Sequence, residues 1–479
     1  LREADRPASS AGAVFALIAV VTLAGAARAE RASARGPATA GKSAPHPVAA
    51  PVAAVPSASP LRLTLAEAVR LAAAESPAAR EAALRAIQAE RKVGQSFGAL
   101  LPSLTGVTTF SNRTFNLTAQ GIPFPVIPGF PPFKEIIGPI DNVDARVYVK
   151  ETLLSLTAVQ KVHASQFGAH AGRADQQAAD EAAAQSGALA WLHAARTEAL
   201  VSARTQELGL ARELLRLARE QQAAGVSPAI DTTRASTQVV ASKGALLVAE
   251  NQRDRARLEL ARSLGLQPSA APQPADSLGD ASAATDVPTD PGDALALALS
   301  QRPDLAGEHA RVEKAEAEKR ATSLERVPRL EATADWGMSG LHTSDWQGTR
   351  SYAVGLTLPL LDGGTREARV GEQQALIGEA ALREHDLRDQ VAADVQGALL
   401  DLSSGVDQLR VAAEQLRLAQ EEVAQASERF TNGVAGNIEV INAQSSLLRA
   451  HDTEIDARFA LAAARVALAR AAGVARQLH

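Results

Sequence analysis

From Leu61 onward the sequence is written twice, and that repetition constrains the fold more than any single motif. Glu67–Pro77 (EAVRLAAAESP) lies over Asp293–Pro303 (DALALALSQRP), and the alignment runs without a gap to Pro102 and Leu104 over Pro328 and Leu330. Later parts match as well: Gly225, Ile230, Asp231, Ala235 and Gly265 fall on Gly433, Ile438, Glu439, Ala443 and Gly473. A duplicated chain must build the same order of elements twice. The expected divisions are repeats at 61–266 and 292–473, a Pro/Ser/Asp-rich linker at 267–291 and a short tail at 474–479.

Each repeat opens with a helical pattern, roughly 65–99 and 292–326, which ends before Pro102 or Pro328, where the missing backbone donor stops it. Strands are predicted next, at about 104–115 and 144–154 in the first repeat and about 329–338 and 351–360 in the second. The clearest alternation sets Leu330, Ala332, Ala334, Trp336 and Met338 against Glu331, Thr333, Asp335 and Gly337. Strands of this length, apolar on one face and small or polar on the other, fit a membrane barrel. A half-buried sheet in a soluble protein would show the same alternation. Four strands cannot close a barrel, so strands that face lipid would have to be pooled by several chains.

A very long helix follows each strand pair, about 158–223 and 364–431, then a glycine turn and a return helix to about Leu264 or Ala472. The second long helix spans roughly 100 Å and its return helix about 54 Å. The opening helix, at roughly 53 Å, would fill the uncovered half if stacked end to end on the return helix. These lengths predict a rod with strands at one end and glycine turns at the other.

Composition supports an elongated helical molecule. The 479 residues include 3% aromatics, one Met and no Cys, so bulk for a globular core is scarce while small side chains suit close helix packing. The net charge of −5 is mild and both signs are interspersed, which gives no reason to expect nucleic acid. Without cysteine there is no disulfide, thiolate metal site, Cys nucleophile or N-terminal lipid-bearing Cys.

Residues 1–29 read as an export signal: Arg2 and Arg6, an apolar run from Ala11 to Ala26, then the small-x-small pattern of Ala27, Arg28 and Ala29. Residues 30–60 read as a flexible Ala/Pro-rich linker. Within it Gly36–Ser43 (GPATAGKS) matches a phosphate-loop pattern, but no strand feeds it and no helix leaves it, so no nucleotide is expected. No later run of 18 or more apolar residues occurs, so any membrane crossing downstream would be made by strands.

Leu63–Val69 (LTLAEAV) with Ser76 and Pro77, Leu100–Leu104 (LLPSL), Thr357–Arg366 (TLPLLDGGTR) and the two glycine turns followed by Asp231 or Glu439 occur in order along nearly all of Leu61 to Gly473. In this arrangement the chain resembles the outer-membrane efflux proteins of the TolC type. The resemblance implies a fold that is mainly α with a membrane β-barrel. A homotrimer would pool a 12-stranded barrel in the outer membrane and continue it as an α-helical barrel across the periplasm. It implies a passive duct, not an enzyme and without cofactor, that serves a tripartite efflux or type I secretion system. Such a duct exports small molecules, metal ions or proteins delivered by an inner-membrane pump and a periplasmic adaptor. Residues 116–142 and 339–350 would be extracellular. The alternative is a periplasmic coiled-coil structural or adaptor protein, against which two hairpins, each preceded by a strand pair, argue.

The resemblance also places the candidate sites. Glu439 and Asn442, three apart on one face of the return helix, fall where the family carries acidic gate residues, and Asp231 is the equivalent of Glu439 in the first repeat. In a trimer Glu439 would form a single ring of three carboxylates, favouring cations. Locally, a carboxylate near a helix N-terminus could instead merely complement the dipole. Where the family closes its tips with a Tyr and an Arg, this chain has Phe430 and Ala435. Gly225, Val226, Ser227 and Gly433, Val434, Ala435 would be the adaptor-docking tips. Nine His residues show no metal-binding spacing, His163 and His170 are expected on a solvated face, and Trp336 and Trp346 would suit a membrane interface.

Overall fold

A computed structural model defines residues 61–117, 119, 136–279, 287–341 and 345–478. The export signal, the 30–60 linker with its phosphate-loop look-alike, and parts of the expected extracellular segments and of the inter-repeat linker lie outside the described residues. The chain divides into a strand unit, Leu101–Leu154 with Arg329–Thr357, and a helical unit that takes up the rest of the described residues.

In the strand unit β2 (Ser103–Asn116), β3 (Ile136–Leu154), β5 (Arg329–Gly340) and β6 (Gln347–Thr357) form one antiparallel sheet in the order β2-β3-β5-β6. The register lines up Leu104, Val149, Ala334 and Tyr352 in one row, and Gly106, Val147, Trp336 and Arg350 in the next row on that face. The intervening rows carry Thr105, Tyr148, Asp335 and Ser351, then Val107, Arg146, Gly337 and Thr349. One face is therefore largely apolar and the other largely polar. The strand boundaries differ from expectation in several places, and β6 begins at Gln347, paired with Ser339, inside the segment expected to be extracellular. β3 starts at Ile136 because Ile136 and Ile137 pair with Asn116 and Phe115 beyond a register shift. β6 stops at Thr357 because Pro359 cannot donate to a ladder.

The helical unit contains α1 (Leu65–Glu75), α2 (Pro77–Gly98), α3 (Leu156–Ala223), α4 (Ala229–Ser263), α5 (Pro291–Gln301), α6 (Pro303–Ser323), α7 (Thr365–Thr431) and α8 (Asn437–Ala471). The expected single opening helix is broken in both repeats. Proline forces the preceding residue out of the helical region, and Ser76 (ψ 146) and Arg302 (ψ 117) are extended; Pro77 and Pro303 then start fresh helices at N1. Thr64 and Glu67 form a capping box on α1, and Ser76 caps α2 through the Ala79 amide.

The contacts along α3 show how its length is covered. Glu207 meets Ser242 and Glu198 meets Arg257 on α4; further down, Gly172 faces Ala86 and Ala89, and Arg173 pairs with Glu90 of α2. Thus α2, not the whole opening helix, continues the line of α4. The segment α1 turns aside and packs with Leu260 and Leu264 near the junction. In the second repeat α7 is covered the same way: Gly405 packs on Leu461 of α8, and Lys319 of α6 reaches Gln374. The repeats meet along α3, where Arg196 and Arg204 pair with Asp456 and Asp452 of α8, and Arg311 of α6 pairs with Asp175. The helices form one layer, with α2 and α4, α3, α6 and α8, then α7 side by side.

Two small features were not expected. β1 (Arg62–Leu63) pairs in parallel with β4 (Gln273–Pro274), and the Leu63 carbonyl of this pair accepts from the fully buried Trp191 indole at 2.8 Å. The tail is docked: Glu181, 1% exposed, accepts from the Ala475 amide at 2.6 Å and from Arg476 at 2.7 Å.

Candidate functional site

The two hairpin tips end their long helices identically. At the first, the Val226 amide donates to the Gln221 carbonyl and Gly225 to Gln222; at the second, Val434 donates to Arg429 and Gly433 to Phe430. This is the Schellman arrangement, and it needs a residue tolerant of positive φ: Gly225 has φ 73° and Gly433 φ 69°. The turn pushes Val226 and Val434 outward, 68% and 69% exposed. An apolar side chain presented this way at both tips gains nothing within the monomer.

The equivalent carboxylates part company. Asp231 is buried and accepts from the Ser227 hydroxyl at 2.8 Å, with Arg234 at 3.6 Å. In the second tip Ala435 stands where Ser227 does and offers no donor. Glu439 turns instead to Arg429, 3.0 Å away, and both side chains stay about half exposed. Asn442 is exposed one turn further along α8. Of the expected gate residues, Glu439 and Asn442 therefore lie toward solvent, while Asp231 is held inside the first tip.

Between the tips lies a junction that the sequence did not reveal. The Gln221 amide donates to the Phe430 carbonyl at 3.0 Å, and Asn437 donates to the Asp231 carbonyl at 2.7 Å. The Phe430 ring, 2% exposed, sits among Leu214, Ala218, Ala235, Val440 and Ala443 from both hairpins. Asn437 is fully buried, and its Oδ1 accepts no hydrogen bond. Arg429 had a readable signal: the third residue from the end of one helix and the third of the next face each other across this turn. Asn437 and Gln221 had none, since their partners are about 200 residues away.

Among the described residues no group of three or more His, Asp or Glu could hold a metal, and no helix is long and apolar enough to cross a membrane. His163 and His170 are exposed on α3.

In fold the chain is similar to solved outer-membrane channels. The chain is similar to CmeC of Campylobacter jejuni, with a TM-score of 0.71 at 16% identity over 92% of this chain and 94% of that one. It is similar to the outer-membrane channel OprN (0.70, 18%, 86% and 90%) and to the open state of MtrE of Neisseria gonorrhoeae (0.66, 18%, 86% and 89%). No curated protein matches it in sequence. Residues 294–474, most of the second repeat, match the family described as outer membrane efflux protein.

Proposed function

We propose that the chain is the outer-membrane duct of a tripartite efflux or type I secretion system, working as a homotrimer. The observation that carries this reading is the inverted sheet. Its apolar face, with Phe110, Trp336, Tyr352, Val354 and Leu356, is exposed. Its polar face holds a partly buried ion pair, Arg146 with Asp335, and a more exposed one, Lys150 with Glu331. A soluble protein hides the apolar side; a barrel strand turns it to lipid and its polar side to the lumen.

The outer edges of β2 and β6 are free, so other copies would have to complete the barrel. The helical layer gives the same argument. Its two flanks expose aliphatic residues, Val240, Leu247 and Leu258 on α4 and Leu382, Leu400 and Val411 on α7. The flanks differ, so copies would join head to tail and close into a ring. The glycine tips would dock a periplasmic adaptor, and Glu439 would line the mouth. The cargo, small molecules, metal ions or proteins, would be chosen by the inner-membrane pump.

The test is to extract the chain from outer membranes in mild detergent, determine its mass and record its conductance in planar bilayers. A trimer with open-pore conductance is expected. A monomer soluble in the periplasm without detergent would return the coiled-coil adaptor reading.

A further inference from the structure

The helical unit carries a cleft of ≈ 720 Å³ on the face of α3, walled by α2 and α6. Its floor is made of small residues, Ala164 and Gly168 of α3, and the stem of Lys314 runs over Gly168, its Cδ 3.7 Å from where a Cβ would stand there. Three lysines line the cleft, Lys92 from α2, Lys161 from α3 and Lys314 from α6. One carboxylate answers them, Glu318, 3.7 Å from Lys314. Lys92 and Lys161 have no acidic partner among the described residues, and the nearby Glu90 is taken by Arg173 at 2.7 Å. Acidic and basic side chains are widely paired across the helical unit, whereas Lys92 and Lys161 stand exposed along this open cleft beside the half-exposed Lys314, which leaves a local excess of positive charge.

A second, independent observation lies in the same cleft. Gln373 of α7 lines it, and its Oε1 is shielded from solvent without a hydrogen-bond donor. A buried acceptor left unmet costs free energy, so a ligand group that donates to it would be favoured. Three ammonium groups ask for an anion with several acceptor oxygens, and the amide oxygen asks for a donor close to that anion.

We propose that this cleft binds a phosphate ester carrying a neighbouring hydroxyl or amine, with Lys92, Lys161 and Lys314 on the phosphate and Gln373 on the donor. The chemistry is that of a glycerophosphate, which could come from a phospholipid headgroup or from a soluble phosphorylated glycerol. The segments lining the cleft lead into or out of strands: α2 runs on to β2, α3 follows β3, α6 runs on to β5 and α7 follows β6.

The test uses the full chain purified in neutral detergent, with two probes. sn-Glycerol 3-phosphate is titrated calorimetrically, and lipid retention is read by native mass spectrometry from nanodiscs of phosphatidylglycerol or phosphatidylcholine. Binding of the soluble probe identifies a soluble source, retention of phosphatidylglycerol over phosphatidylcholine identifies the lipid, and either supports the site. The triple variant Lys92→Gln, Lys161→Gln, Lys314→Gln should weaken binding by at least about tenfold, while Gln373→Leu should weaken it less and Lys243→Gln, on α4, not at all. Unchanged helical circular dichroism confirms that the variants are folded. If neither probe binds, or the triple variant binds like the native chain, the site is refuted. The soluble arm does not depend on the chain being a membrane duct, so the two readings fail separately.

Discussion

The Arg429 guanidinium, in the last turn of α7, lies 3.0 Å from the Glu439 carboxylate in the first turn of α8. A mouth lined by Glu439 would therefore carry paired charges rather than a bare carboxylate ring. Removing one partner should expose the other. Glu439→Ala should shift the reversal potential in a KCl gradient toward anions, Arg429→Gln toward cations, and the double variant should return near the native value. Unchanged selectivity and conductance in both single variants would remove these residues from the mouth.

The junction between hairpins should be the weak point of the tips. Phe430→Ala would empty its seat among residues of both hairpins, at a cost of about 3–5 kcal/mol. Asn437→Ala would remove the side-chain hydrogen bond to the Asp231 carbonyl, at about 0.5–1.5 kcal/mol. Hydrogen exchange should accelerate at residues 221–235 and 429–443 in both variants and stay unchanged at the buried centre around Trp191.

Four glycines of positive φ end helices, but substitution should separate them into two classes. Gly225 and Gly433 have open space where a Cβ would stand, so Ala should cost only the backbone term, about 1 kcal/mol. At Gly265 the same Cβ would collide with the Glu75 carbonyl, and at Gly473 it would come to 3.0 Å from Arg302 backbone. Thermal unfolding should show Gly265→Ala as markedly the worst of the four.

Acid should loosen the α6 start. Burial raises the Asp304 pKa, but hydrogen bonds and charge from Arg302 outweigh it and leave the carboxyl below its ordinary value. The unfolded chain then binds the proton first as pH falls, so this contribution is full above the ordinary carboxylate range and is lost as pH drops through the folded value. Urea midpoints followed below about pH 4 should fall less steeply in Asp304→Asn than in the native chain.

Docking through the tips predicts a loss confined to partnership. Val226→Asp with Val434→Asp should abolish cross-linking to the adaptor and efflux while leaving the trimer and its helicity intact, since neither side chain is packed. Preserved efflux would rule the tips out as the docking surface.

What the sequence made legible was local. Glycine stops, period-2 strands and the duplication each depend on neighbours along the chain. The breaks at Ser76 and Arg302 were local too, but a helical pattern on both sides concealed them. The divergence of Asp231 and Glu439 was not visible by alignment, because it turns on whether Ser227 or Ala435 supplies a hydroxyl. The Gln221 and Asn437 links depend on side-by-side packing of two repeats, which no periodicity encodes. The excess positive charge of the α2–α3–α6 cleft likewise assembles residues from three separate helices.

The uncovered apolar face of the sheet also bears on how such a chain can be made. The helical unit buries its own core and can reach its final packing in water. The strands cannot, because pairing them leaves Phe110, Trp336 and Tyr352 as wet as before, and the roughly 25 cal/mol per Å² of apolar burial becomes available only when hydrocarbon covers them. In the proposed duct, sheet formation would be tied to arrival at a bilayer, and until then these segments would present the hazard of unpaired edges.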